Sequence, residues 1–202
     1  MNTETALLIF VKNPEKGKVK TRLAETLGQD CALKIYLALL EHTRAVALQV
    51  NVDRLLFYSS FVEKNDGWST GDFIKYTQQG ADLGARMLHA FQSAFEKYRK
   101  VVIIGSDCAN LTPAIVREAF EQLDYFPFVI GPATDGGYYL LGMTTPEPSL
   151  FLNMEWSTDE VLSNTLERIA SLGKDYYLLP ELSDIDYAED WEQYGWELTE
   201  EE

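Results

Sequence analysis

Short apolar runs alternate with segments of helical periodicity along all 202 residues of this chain. That alternation restricts it to an α/β architecture with a mostly parallel central sheet covered on both faces. The run Ala6-Leu-Leu-Ile-Phe-Val11 is apolar at every position, as a fully buried strand requires. Further strands are expected at Arg54–Ser59, Asp72–Thr77, Val101–Gly105, Phe128–Gly131, Tyr138–Gly142 and Tyr176–Leu179. Helical spacing connects Ile35, Leu39, His42 and Val46, then Leu83, Met87, Phe91 and Tyr98, then Val116, Phe120 and Leu123. Two later helices are expected near Asp159–Leu172 and from about Tyr187. Asp82 before Leu83, Thr112 before Pro113, and Ser157 with Glu160 have the form of helix caps. No Pro/Ser/Gly-rich linker or repeat intervenes, so a single domain over 1–202 is the expectation.

Charge narrows the function. A formal net charge of −15 argues against non-specific binding to DNA or RNA. Against that background five cations, Lys12, Lys16, Lys18, Lys20 and Arg22, meet one acid, Glu15, whereas Glu181–Glu202 holds ten acids and no Lys or Arg. A basic loop on an acidic protein implies a local anion site. The apolar runs fall well short of the roughly 18 residues of a membrane span, and the first residues lack the basic start of a signal peptide. The expected location is cytoplasmic. Cys31 and Cys108 are expected as small buried side chains, not zinc ligands.

In open α/β sheets ligands sit beyond the carboxyl ends of strands, which directs attention to three loops. Lys12 to Arg22 follows the first strand, where backbone N–H groups and cations, including Gly17, Lys18, Lys20 and Arg22, can converge on phosphate oxygens. It lacks the Gly-Lys-Thr ending of a Walker A loop. Asp107 follows a buried strand in Val101–Pro113 and suits a magnesium ion, which takes one or two protein carboxylates and otherwise phosphate and water. A turn-capping role for Asp107 is the alternative. In Asp135-Gly136-Gly137 the glycines permit close backbone approach or a tight turn, and Asp135 can bind an acceptor, act as a base or fix that turn. Asp184 and Asp186 occupy alternate positions of an extended segment and, by themselves, read as an acidic helix start. His42 and His89 fall inside helical patterns and read as ordinary helix residues.

Together Phe10-Val-Lys-Asn-Pro14, Gly17-Lys-Val-Lys-Thr-Arg-Leu23, Asp82-Leu-Gly-Ala-Arg-Met87, Gly105-Ser-Asp-Cys108, Gly131–Tyr138, Trp156-Ser-Thr158 and Asp184–Asp190 resemble a bacterial family of GT-A-fold nucleotide-diphospho-sugar transferases, commonly labelled glycosyltransferases. The pattern is more distantly similar to molybdenum-cofactor and phospholactate guanylyltransferases. The resemblance implies a Rossmann-like GT-A sandwich and a magnesium or manganese ion held by Asp107, with Asp186 ahead of Asp184 as second ligand. It further implies Lys20 and Arg22 on the diphosphate, joined at the nucleotide by Lys12, Gly17, Lys18, Asp82, Gly84, Gly136 and Gly137. GT-A glycosyltransferases usually carry Asp-x-Asp, whereas Asp107 is followed by Cys108 and Ala109, the latter where proline is usual in the family.

The resulting expectation is a metal-dependent transferase acting on a nucleotide-sugar and a small-molecule acceptor, with Lys20 and Arg22 stabilising the leaving nucleoside diphosphate and Asp135 as base. The rival is nucleotidyl transfer from a nucleoside triphosphate with release of pyrophosphate, which a basic loop suits. A non-catalytic nucleotide- or protein-binding member of the fold is the alternative from another class.

Overall fold

Strand β1 (Thr5–Val11) is shielded on both faces, which explains its unbroken apolar run: Leu7, Ile9 and Val11 face one core layer, and Ala6 and Leu8 the other. The computed structural model describes residues 4–198; Met1–Thr3 and Thr199–Glu202, including the terminal acids, lie outside the described residues. After β1 come helices α1 (Thr21–Leu27) and α2 (Gln29–Leu48), separated at Gly28, then strands β2 (Asp53–Tyr58) and β3 (Ile74–Thr77). Helix α3 (Leu83–Phe95), strand β4 (Lys100–Ile104) and helix α4 (Pro113–Gln122) follow. Strands β5 (Phe128–Pro132) and β6 (Tyr138–Met143) form a hairpin, and α5 (Val161–Ser171), β7 (Tyr176–Leu178) and α6 (Ala188–Tyr194) complete the chain.

The seven strands lie in the order β3-β2-β1-β4-β6-β5-β7, and only β6 runs antiparallel to its neighbours. The expected α/β class with a mostly parallel sheet is therefore what the chain adopts. Tyr36 and Val46 of α2 pack with Val116 and Phe120 of α4 on one face; Met87 and Phe91 of α3 pack with Ile169 of α5 on the other. From β1 the chain moves outward through β2 to β3, then returns on the opposite face to place β4 on the free side of β1. The strand order reverses between β1 and β4, where a crevice opens at the carboxyl ends.

The caps at α3 and α4 form as their residues suggest: Asp82 accepts from the Ala85 N–H, and Thr112 from the Ile115 N–H ahead of Pro113. The Ser157–Glu160 capping box does not. Ser157 takes φ 65°, Thr158 Oγ1 donates to the Glu155 carbonyl, and α5 starts only at Val161. A tertiary contact replaces the box, because the Gly136 carbonyl accepts from the Leu162 N–H at 2.8 Å. Strand β3 starts at Ile74, not Asp72, because the N–H groups of Asp72 and Phe73 both turn back to the Ser69 carbonyl.

Asn13 fixes the path of the loop after β1. Its side chain is buried; Oδ1 accepts from the N–H groups of Ser60 (3.0 Å) and Phe61 (3.4 Å), and Nδ2 donates to the Phe61 carbonyl at 2.9 Å. The exits of β1 and β2 are thereby tied together. Asn13→Ala leaves these backbone groups unsatisfied and is expected to lower stability by about 2 kcal/mol, measurable by urea unfolding. A change within error would show that this tie is dispensable.

Candidate functional site

A cleft of about 760 Å³ lies over the carboxyl ends of β1 and β4. Lys12, Lys18, Lys20, Arg22, Asp107, Asp135, Gly137, Asp184 and Asp186, all expected from the sequence, line it. The C-terminal segment joins Asp107 through the backbone: Cys108 and Asp184 form an antiparallel bridge, and the Ile185 N–H donates to the Asp107 carbonyl at 2.9 Å. Asp190, in the first turn of α6, accepts from the N–H groups of Asp186 (2.9 Å) and Tyr187 (2.7 Å). Residues almost eighty positions apart thus present their carboxylates together, an approach no linear spacing encodes.

Lys20 lies between two of them. Its Nζ is 2.6 Å from Asp107 Oδ1 and 3.4 Å from Asp186 Oδ1, and its side chain is only 5% exposed. Its backbone is left-handed, φ 47° and ψ 48°, at the residue preceding α1, a conformation that costs a non-glycine residue about 1–2 kcal/mol. Burial disfavours the ammonium, but Asp107, through charge and hydrogen bond, and then Asp186 and Asp184 outweigh it and raise the Lys20 pKa. Arg22 remains more open, with Nη1 3.1 Å from Asp186 Oδ2 and its guanidinium over the Tyr187 ring. Lys18 is exposed and paired with Glu15, and Lys16 is paired with Asp30.

Among the described residues, no three His, Cys, Asp or Glu side chains form a ready-made metal cage. The donors present nevertheless suit a hard divalent cation: carboxylates of Asp107 and Asp186 converge on one positive charge, and such a cation completes its shell with phosphate and water. Asp184, beside them, has its carboxyl pushed up from 3.8 to about 7, first by burial and then by repulsion from Asp107, with Lys20 pulling the other way.

The rest of the cleft is built from α3, the Asp135–Tyr138 turn and the loop before α5. Asp135 Oδ1 accepts from the Gly137 N–H at 2.9 Å. Gly136 has φ 86°, and a Cβ there would lie 2.1 Å from the Asp159 carbonyl oxygen, so the turn can approach that loop only as glycine. A Cβ at Gly84 would lie 2.4 Å from Trp156 Nε1; the residue backs the wall by letting the indole seat on α3. Gly17, Asp82, Gly84 and Gly136 do not line the cleft, and the Asp82 carboxylate is engaged in its helix cap.

The sequence gives no signal for Tyr36. Its buried hydroxyl accepts from the Lys12 N–H (2.8 Å), donates to the Lys12 carbonyl (3.0 Å) and meets Ser106 Oγ at 3.4 Å, so it joins the exits of β1 and β4. Arg86 also lines the cleft. His42 Nε2 bonds the Leu111 carbonyl outside it, in keeping with a helix residue of structural role.

The family model described as "Uncharacterized protein conserved in bacteria (DUF2064)" matches residues 41–158. A protein from Desulfovibrio desulfuricans G20, provisionally assigned as a nucleotide-diphospho-sugar transferase, is 34% identical over 92% of this chain and 83% of its own, with a TM-score of 0.84. The inositol-1-phosphate CTP transferase of T. maritima is 15% identical over 94% of this chain and 92% of its own, with a TM-score of 0.59. A Mycobacterium tuberculosis H37Rv protein solved in complex with manganese is 13% identical over 96% and 98%, with a TM-score of 0.57. The last two share the fold alone. No curated protein matches the chain in sequence. No helix among the described residues is long and apolar enough to cross a membrane.

The raised Asp184 carboxyl has a measurable consequence. Between roughly pH 4 and 7 the native protein holds this proton after the unfolded chain has released it, so its stabilising contribution is lost as pH rises through that window. Without added divalent cation, Asp184→Asn should gain stability relative to wild type across that range in urea unfolding. A difference independent of pH would refute the assignment.

Proposed function

The chain belongs to the bacterial family DUF2064, and from the chemistry of its cleft we propose that it is a divalent-cation-assisted glycosyltransferase acting on a nucleotide-sugar. The observation that carries this reading is the meeting of opposite charges in one cleft, with Lys12, Lys18, Lys20 and Arg22 from the loop after β1 and Asp107, Asp184 and Asp186 from the segments after β4 and β7. Asp107 and Asp186 would hold magnesium or manganese, which when bound supplies positive charge to the diphosphate oxygens. Lys12, Lys18 and Arg22 bind those oxygens from the other side and stabilise the charge that accumulates as the sugar–phosphate bond breaks.

Asp135 would take the proton of the acceptor hydroxyl as the new glycosidic bond forms. One of its oxygens is fixed by the Gly137 N–H, and the side chain faces the cleft. The surrounding wall, with Tyr138, Trp156, Ser157 and Asp159, offers aromatic faces and hydrogen-bonding groups, which suit a neutral polyhydroxyl compound. Two acids on that wall disfavour a phosphorylated acceptor. The second reading, nucleotidyl transfer with pyrophosphate as leaving group, draws support from the number of cations on the loop, which would suit a triphosphate.

Calorimetric titration of nucleoside di- and triphosphates with and without magnesium tests the common ground of both readings. Affinity should depend on the metal, and Asp107→Ala should weaken metal-dependent binding by at least about tenfold, or ~1.4 kcal/mol. Wild-type affinity in the variant would remove Asp107 from the site. Release of nucleoside diphosphate from a nucleotide-sugar supports glycosyl transfer, whereas pyrophosphate release from a triphosphate selects the second reading.

A further inference from the structure

The ammonium of Lys20 stands where the carboxylates of Asp107 and Asp186 would meet a metal ion. Its contacts of 2.6 and 3.4 Å come from two chain segments, and the side chain is nearly closed off from solvent. A dication bound by those oxygens at its usual ~2.1 Å would lie within roughly 5 Å of the ammonium, two like charges in a partly desolvated site. We propose that Lys20 is the resident counter-cation of the Asp107–Asp186 site, and that it must leave this position before a divalent cation can enter and then turns to the incoming phosphate. The inference rests on the reading of the cleft as a metal-assisted phosphate site.

Three observations separate this role from that of a standing phosphate ligand. Lys12 lies exposed at the rim of the cleft, and Lys18 is 70% exposed, while Lys20 is directed into the acids. Among the described lysines only Lys20 has positive φ, and that backbone conformation precedes α1 at the floor of the cleft. Asp107 and Asp186 form a concentration of negative charge whose other cationic neighbour, Arg22, is 57% exposed and bonds Asp186 alone. Lys20 therefore supplies the inner compensation, as a metal would. Nucleotide and metal would then enter together more readily than metal by itself, because the arriving phosphate gives the displaced ammonium a new partner.

Lysine acetylation by an N-hydroxysuccinimide ester, resolved by peptide mass spectrometry, reads the displacement in wild-type protein. Lys20 should react on the order of tenfold more slowly than Lys18, and magnesium without nucleotide should raise its rate about fivefold while leaving Lys18 unchanged. An unchanged Lys20 rate under metal concentrations that saturate the protein would overturn the inference. In a second measurement, manganese binding without nucleotide is followed by electron paramagnetic resonance. Lys20→Met should bind about tenfold more tightly than wild type, with a smaller gain in Arg22→Met, which removes an equal charge without opening the position. Equal or weaker binding by Lys20→Met also overturns it, whereas binding by no variant, with or without nucleoside diphosphate, defeats the metal reading itself together with the inference.

Discussion

The reversal of strand order between β1 and β4 is the constraint on which the rest depends. Because the chain leaves β1 along one face and returns to β4 along the other, the two exits diverge and nothing in the sheet fills the space between them. The Lys12–Arg22 loop occupies one bank and Gly105–Asp107 the other. Tyr36 spans the gap beneath them through Lys12 and Ser106. The charged groups above are thus held at a distance set by buried hydrogen bonds, which is the kind of preorganisation that electrostatic catalysis requires.

Acidic and basic groups in the cleft are also interdependent. The backbone bridge from Cys108 to Asp184 brings three aspartates together, an arrangement that repulsion opposes. Lys20 offsets it from inside and Arg22 from outside. The basic loop, viewed as a sequence feature, suggests an anion site alone; folded, it also neutralises the protein's own carboxylates. That double duty divides its lysines into two groups, Lys20 facing inward and Lys12 with Lys18 available to solvent.

Elements with strong local signals were legible in the sequence. The both-sides-buried strands and the helices with Asp82 and Thr112 caps needed only periodicity and side-chain chemistry. The Ser157–Glu160 box was misread because α5 starts only at Val161, where Gly136, a partner distant along the chain, accepts from the Leu162 N–H. Lys12, Lys20, Asp107 and Asp135 could be singled out because each follows or adjoins a strand. Tyr36 could not, since its role depends on contacts 24 and 70 positions away, and the side-chain orientation of Lys20 depends on a backbone conformation that lysine seldom adopts.

The two glycine contacts of the far wall bear on how such a cleft can diversify. Gly136 against Asp159 and Gly84 against Trp156 are approaches of bare backbone to a neighbouring element, and neither leaves space for a side chain. They anchor the loop before α5 at two points, while Ser157 and Thr158 between them remain exposed to the cleft. Substitution at Thr158 would therefore redraw the outline of the cleft while these two anchors stay in place. The shape of this wall can thus change without disturbing the charged groups held by the Asp107 and Asp186 segments.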